Sequence, residues 1–437
     1  MILDKTTLHD LSFLQGEHSV FALINKCTTQ AGSNVLKKMI QNPPANFQEL
    51  TEHQLAVKFC IEHASKWTSK VSNGTLVMIE KFYESAEGVA GKHNSFGLMI
   101  DSVMQKLFNR NAYSFVRFSV SHLIDFLKGC NDLIQLYEEH PPKIVNDILI
   151  SFKEVLELPL CKSLVETPED APQAHLLEMS YKARREIKHI VLQMIDRYAK
   201  LDALYSMAKA TIEYKWVMPE LFPSSTMQYQ ASQLFHPLLN HPVAYDIEYS
   251  KERNFLFLTG ANMSGKSTLI RAMGVGALLA HIGMGVPAKS MHISFLEGIV
   301  TNMQVEDNIF LGESYFFAEV QRMKLTAQKL SKNRYHLVLM DELFKGTNVH
   351  DAYECSRAVI EGLLKQNDNL MALSTHLNEL SDNLKEQSNI WFRYCYTDIT
   401  VDGQYKFTYQ LREGVSKDRI GYLVLKKEGV LDLLHKV

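Results

Sequence analysis

One glycine turn, Gly260-Ala261-Asn262-Met263-Ser264-Gly265-Lys266-Ser267, limits the folds open to this chain more than any other feature. It satisfies G-x-x-x-x-G-K-S, directly after the apolar run Phe255–Thr259 and directly before the helical pattern Ser267–Leu279. A strand that feeds such a turn into a helix is the context of a P-loop. The glycines let the backbone curl so that successive N–H groups face phosphate oxygens, aided by the positive end of the following helix. Lys266 is expected on the β- and γ-phosphates of a nucleotide, and the Ser267 hydroxyl on Mg²⁺.

A P-loop needs an acidic partner on a neighbouring strand. Leu337-Val338-Leu339-Met340-Asp341-Glu342 supplies it, with four apolar strand residues followed by two carboxylates. Asp341 is expected to hold Mg²⁺ through water, and Glu342 to orient and polarise the attacking water. Two acids after a strand often form only a solvated turn; the P-loop upstream argues for the catalytic reading, and the Glu favours hydrolysis over simple nucleotide holding. Ser374-Thr375-His376 follows another apolar run, Leu370–Leu373. A lone His is commonly structural, but in this order His376 is placed to meet the γ-phosphate or the attacking water.

The rest of the chain reads as two textures, so the expected fold class is multidomain: an all-α region over 1–230, then an α/β domain over 231–437. In the first, Leu36, Met39 and Ile40 keep an amphipathic period that Pro43-Pro44 stops. Further helices are expected from about Tyr113 to Glu139 and from about Val145 to Leu158. His175 to Met218 contains neither Gly nor Pro, and its apolar residues, Ile187, Ile190, Val191, Met194, Tyr198, Leu201, Leu204, Ala208 and Ile212, recur at three-to-four spacing. Unbroken, that helix would reach roughly 65 Å; two shorter helices with a kink are the alternative. From about Phe235, β-rich runs (Phe255–Thr259, His292–Val300, Leu337–Met340) alternate with helical patterns (Ser267–Leu279, Tyr315–Ser331, Ala352–Lys365). Alternation of this kind implies a mainly parallel sheet flanked by helices.

Composition closes off other classes. The 437 residues are 46% hydrophobic and 22% charged, an ordinary globular mixture. No apolar run reaches the ~18 residues of a spanning helix, and Met1-Ile2-Leu3-Asp4-Lys5 lacks the pattern of a secretory leader. The six cysteines form no CxxC pair and read as reduced thiols, so a cytoplasmic location is expected. The 17 histidines show no zinc-ligand spacing. A net charge of −3 does not advertise nucleic-acid binding, which would have to come from a local basic face.

These segments resemble the MutS family of DNA mismatch-repair ATPases, which are ABC-type P-loop proteins. Thr259-Gly260-Ala261-Asn262-Met263-Ser264-Gly265-Lys266-Ser267-Thr268 is similar to the family's T-G-P-N-M-G-G-K-S-T, departing at Ala261 and Ser264. Asp341-Glu342-Leu343-Phe344-Lys345-Gly346-Thr347 is similar to D-E-x-G-R-G-T, and Ser374-Thr375-His376 to A-T-H. Gly312-Glu313-Ser314-Tyr315-Phe316-Phe317-Ala318-Glu319 resembles the signature G-x-S-T-F-x-x-E, and Glu306-Asp307-Asn308 a short acidic loop. Without the resemblance, Gly312 and Ser314 would read as an ordinary helix cap.

In the helical part, Cys27-Thr28-Thr29-Gln30-Ala31-Gly32 and Leu201-Asp202-Ala203-Leu204 are similar to the start of the family's core domain and the end of its returning lever helix. Phe235-His236-Pro237 is similar to an R-H-P segment leading into the ATPase. The resemblance implies ATP and Mg²⁺, a homodimer in which Ser314 reaches the partner's ATP, adenine beside Val243 and Ala244, DNA and repair proteins as partners, and no membrane. Set against the family pattern, the sequence is expected to lack the mismatch-reading and connector domains, to carry a lever region too short for a full clamp, and to have an abbreviated C-terminal dimerisation segment.

Lys182, Arg184, Arg185, Lys188, Arg197 and Lys200 outnumber Glu186 and Asp196 on the long helix. That stripe either neutralises DNA phosphates or is a solvated helix face. Two functions follow: a DNA-associated ATPase, or an ATP-gated protein whose levers grip a protein or ribonucleoprotein. A transporter ATPase subunit fits less well, because no LSGGQ-type signature is present.

Overall fold

The structure, a computed structural model, describes residues 1–84, 110–168, 171–303, 315–332, 335–399, 405–416 and 421–434. The chain divides into two compact units, and neither is one continuous stretch. One comprises Met1–Leu23, Met39–Thr51 and Glu213–Val437; the other comprises Ile24–Lys38 and Glu52–Ile212. The change of unit falls at Ile212/Glu213 rather than at 230, and the first 23 residues group with the α/β part.

The second unit is helical in its described residues. Its longest helices are Arg110–Ile134 and the run from Gln173 to Glu213, built of Gln173–Lys182, one π-helical turn at Ala183–Ile187, and Lys188–Glu213. The Gly- and Pro-free stretch is therefore continuous, but it stops at Glu213 instead of Met218. The widened π turn, one residue per turn longer than an α-helix, takes the place of the kink. Val191, Met194, Tyr198, Leu201, Leu204 and Ala208 are buried, as their spacing predicts. Trp67 stacks on Tyr205 with centroids 3.8 Å apart, tying the helix to the segment ahead of Asn73–Glu84.

The first unit carries two sheets where the alternation of patterns implied one. Its strands are β1 (Glu220–Phe222), β2 (Tyr229–Leu234), β3 (Tyr245–Tyr249), β4 (Phe255–Gly260), β5 (Ser290–Ser294), β6 (Gly298–Asn302), β7 (His336–Asp341), β8 (Leu370–Ser374), β9 (Ile390–Ile399) and β10 (Tyr405–Glu413). The larger sheet has the order β10-β9-β4-β8-β7-β6, parallel except for the β9–β10 pair. The smaller sheet, β1-β5-β2-β3, is mostly antiparallel. The run His292–Val300, expected as one strand, is split: its first part lies in β5 and its last in β6, on different sheets.

β4, β7 and β8 are buried along their whole length, which explains their continuous apolar sequence. The helix Lys266–His281 follows β4 and packs on β7 and β8, and its Gly274 leaves no room for a Cβ: one would sit 2.5 Å from Leu11 Cδ2 and 2.8 Å from Leu339 Cδ1. Leu11 belongs to the N-terminal segment. That segment is further held by a bridge between Ile2 and Gly298, and by Asp10, whose carboxylate accepts from the Thr301 hydroxyl at 2.7 Å and pairs with Arg322. These contacts join chain ends far apart in sequence, so no local pattern foretold them.

Candidate nucleotide site

Three neighbouring strands end side by side. In the order β4-β8-β7, β4 delivers Gly260 and the turn, β8 delivers Ser374 to His376, and β7 delivers Asp341 and Glu342. Asp341 pairs in register with Ser374, Glu342 N–H donates to Ser374 C=O at 2.9 Å, and Thr375 N–H donates to Leu258 C=O at 3.0 Å. The Ser374 hydroxyl also donates to the buried Asp341 carboxylate.

The turn carries the backbone that its sequence demands. Gly260 and Gly265 have φ of +139° and +100°, and Met263 has +68°. A Cβ on Gly265 would lie 3.1 Å from the Tyr245 hydroxyl and 3.2 Å from Tyr409 Cδ1. Lys266 is buried and folds back, its ammonium donating to Gly260 C=O at 2.8 Å and Ala261 C=O at 3.1 Å. Burial lowers its pKa, while Glu342 and Asp341 pull it upward.

Glu342 stands at φ +55°, a left-handed conformation uncommon for a residue with a side chain. One carboxylate oxygen lies 2.7 Å from the Lys345 ammonium and the other 3.7 Å from His376 Nδ1. The His376 contact first, and Lys345 with it, hold the Glu342 carboxyl down at about 2 against the penalty of burial. A cavity of about 570 Å³ is lined by Asn262, Met263, Gly265 to Thr268 and Glu342, together with Val243, Tyr245 and Tyr409. The glycine turn and Glu342 thus face one space, while Asp341 lines a small second pocket that Glu342 shares. The larger space suits an anion flanked by a divalent cation: the turn offers backbone N–H groups and a lysine, Glu342 a carboxylate, and Ser267 a hydroxyl, with the Asp341 carboxylate one residue away at the end of β7. Among the described residues no cluster of three or more His, Cys, Asp or Glu offers a metal an all-protein cage. Mg²⁺ shared with phosphate does not need one.

Comparison with known proteins places the likeness in one part of the chain. The family model described as MutS domain V matches residues 256–433. Residues 256–433 are a MutS domain V. Similar chains include the DNA mismatch repair proteins MutS of Thermotoga petrophila (31% identical over 252 residues, 56% of this chain and 30% of the relative) and of Aquifex pyrophilus (28% over 269 residues, 59% and 31%). MutS of Ehrlichia ruminantium is 26% identical over 333 residues, 74% of this chain and 39% of the relative. The chain therefore spans well under half the length of the curated relatives it matches.

Against this MutS-like frame the other sequence-predicted residues fall into three groups. Val243 lines the nucleotide cavity, whereas Ala244 lines an adjoining groove of about 700 Å³ with Trp391 and Arg393. Gly312 and Ser314, with Glu306, Asp307 and Asn308, lie outside the described residues. The basic stripe belongs to the helical unit, and each of its four leading members has a local partner there. Lys182 pairs with Glu178 at 2.8 Å, Arg184 lies over the Phe82 ring at 4.1 Å, Arg185 donates to the Tyr181 hydroxyl, and Lys188 donates to Tyr83 C=O at 3.1 Å. Arg184 and Arg185 occupy the π turn itself.

Sequence reasoning missed Lys345, Tyr245 and Tyr409. Lys345 had a signal, three residues after Glu342 and at the basic position of D-E-x-G-R-G-T. Tyr409 had none: it reaches the turn from β10 at φ +57°, where the register with β9 slips between Phe407 and Gln410. Among the described residues no helix is long and apolar enough to cross a membrane.

Proposed function

We propose that this chain is a MutS-like, Mg²⁺-dependent ATPase that uses ATP turnover to switch a DNA-associated helical unit. The observation that carries the reading is the shared cavity, where the P-loop and Glu342 meet although they are far apart in sequence. Lys266 leaves the carbonyls of Gly260 and Ala261 for the β- and γ-phosphates, exchanging two neutral acceptors for charged ones. Ser267 and Asp341 would hold Mg²⁺, which would neutralise charge on the phosphates. Glu342, ionised throughout the neutral range, accepts the proton of the attacking water, and His376 at its other oxygen senses the γ-phosphate. Val243 and Tyr409 flank the adenine end.

The resemblance adds a homodimer with Gly312 and Ser314 completing the partner's site, repair proteins as further partners, and a cytoplasmic location. Lys266→Ala then abolishes nucleotide binding, measured with a fluorescent ATP analogue. Undiminished affinity in that variant would remove the site. The engaged state of Lys182, Arg184, Arg185 and Lys188 supports a second reading, in which the helical unit grips a protein or ribonucleoprotein. Anisotropy with duplex, branched and single-stranded DNA across a salt series separates the two, since phosphate binding weakens steeply as salt rises.

A further inference from the structure

The helix Tyr315–Lys332 begins within the signature-like segment, whose last residue is Glu319, and its first turns are fastened to the loop that carries Glu342. Glu319 is buried, and its two carboxylate oxygens accept from two consecutive backbone amides: Lys345 N–H at 3.0 Å and Gly346 N–H at 3.0 Å. Charge-assisted bonds to a pair of adjacent N–H groups fix the orientation of that peptide as well as its place. Gly346 lies so close that a Cβ there would sit 2.5 Å from Tyr315 Cδ1 and 2.7 Å from Phe316 N. Phe344, buried at φ +57° where the resembling pattern has glycine, packs its ring 5.9 Å from Phe316. The loop between Glu342 and Gly346 is short and bends through two left-handed residues. Its geometry therefore depends on where its far end is pinned, and Lys345, whose amide is pinned, sends its ammonium to Glu342.

We propose that Glu319 is a positioning residue for hydrolysis, holding the Lys345–Gly346 peptide so that Lys345 and the loop backbone aim the Glu342 carboxylate into the nucleotide cavity. The inference rests on the role of Glu342 proposed above. Its consequence is that displacement of the start of the Tyr315 helix, which forms the second half of the signature-like segment, is felt at the hydrolytic carboxylate of the same subunit.

The test is a double-mutant cycle on ATP turnover with Glu319→Gln and Glu342→Gln in the full chain, with analogue affinity and thermal melting measured alongside. Glu319→Gln replaces one acceptor by a donor that opposes an N–H group. The expected result is a kcat lower by between about ten- and a hundredfold with ATP affinity unchanged. In the Glu342→Gln background the same substitution changes the residual rate by less than about twofold, because its effect passes through the residue already removed. Additive losses in the two backgrounds, an unchanged kcat for Glu319→Gln, or a loss of affinity in place of rate each overturn the proposal. A Glu342→Gln chain that turns over like the parent overturns instead the hydrolytic role on which it rests. Should Glu319→Gln melt non-cooperatively, Glu319→Asp, which keeps the charge but reaches fewer amides, takes its place in the cycle. If both unfold, Glu319 is a fold determinant and the proposal falls.

Discussion

Two acidic centres, one in each unit, show how a carboxylate built for structure differs from one available for chemistry. Asp202, in the helical unit, is fully buried. Its Oδ1 accepts from Thr28 N–H at 3.0 Å and the Thr28 hydroxyl at 2.7 Å, and its Oδ2 from Thr29 N–H at 2.9 Å and the Thr29 hydroxyl at 2.7 Å. Every partner is short and local to one turn of chain. Gly32 leaves the carboxylate its space, since a Cβ there would fall 2.3 Å from Oδ2. Glu342 is partly open, and its partners are a long lysine and a half-exposed histidine, both on loops at the sheet edge. Four donors on one turn of chain leave Asp202 nothing to exchange; two side chains reaching in from loops leave Glu342 free to trade them for a water molecule. Full burial among backbone and short side-chain donors marks a fastening, and partial burial against long or exposed side chains marks a reagent.

The contrast breaks most sharply at Glu342. Glu342→Gln keeps the size but not the basicity, so kcat is expected to fall by about 10²–10⁴-fold while ATP affinity and melting temperature hold. Steady-state turnover beside an equilibrium binding titration checks it, and a rate within a few fold of the parent would place the base elsewhere.

The mirror experiment is Asp202→Asn. The carboxamide presents an NH₂ to groups that all donate, leaving buried donors without acceptors at a cost of about 3 kcal/mol. Denaturant unfolding of the helical unit should report the loss, with turnover per folded molecule unchanged. A variant as stable as the parent, or one that is stable but slow, would erase the distinction between the two centres.

How far the sequence foretold these centres follows from how local each one is. The P-loop, the β7 acids and His376 were legible because strand, turn and residue types lie together in short windows, and each sits at a strand end as expected. The long helix was legible from its periodicity, but its π turn was not, because Ala183–Ile187 differs from its flanks in hydrogen-bond register and not in apolar spacing. The second sheet escaped because β1 to β3 are short and two-faced, and because His292–Val300 reads as one run although the chain turns between Ser294 and Gly298. The grouping of residues 1–23 with the α/β unit depends on Leu11 meeting Gly274 and on Asp10 meeting Arg322, pairings across most of the chain. Thr28, Thr29 and Asp202 were noticed only through resemblance; their mutual hydrogen bonds supply the physical reason.

A gentler perturbation sharpens the same comparison through pH. Lys345→Ala removes the nearest cation from Glu342, whose carboxyl now stands at about 2 against an ordinary 4.5. Because the folded pKa is the lower one, this carboxylate contributes stability above about pH 4.5 and loses it as pH falls toward 2. Without Lys345 its pKa rises, so the acid limb of kcat moves to higher pH and the stability gained between those values shrinks. A kcat–pH profile whose acid limb stays in place would show that His376 alone sets the carboxylate.

The smallest expected effect concerns the basic stripe, where the same rule separates residues that neighbour one another on a single helix. Arg184 lies over Phe82 and Lys188 is bonded to a main-chain carbonyl, so both resemble Asp202 in being committed to the fold. Lys182 and Arg185 are held by partly exposed side chains one turn away, pairs worth a few tenths of a kcal/mol. They can therefore be surrendered to phosphate at little cost. If DNA is the partner, Lys182→Ala and Arg185→Ala each lower the slope of log affinity against log salt by about 1, without a change in melting temperature. Arg184→Ala and Lys188→Ala should instead shift the melt. Equal salt slopes in all four variants would assign the stripe to the fold and turn the helical unit toward a partner other than DNA.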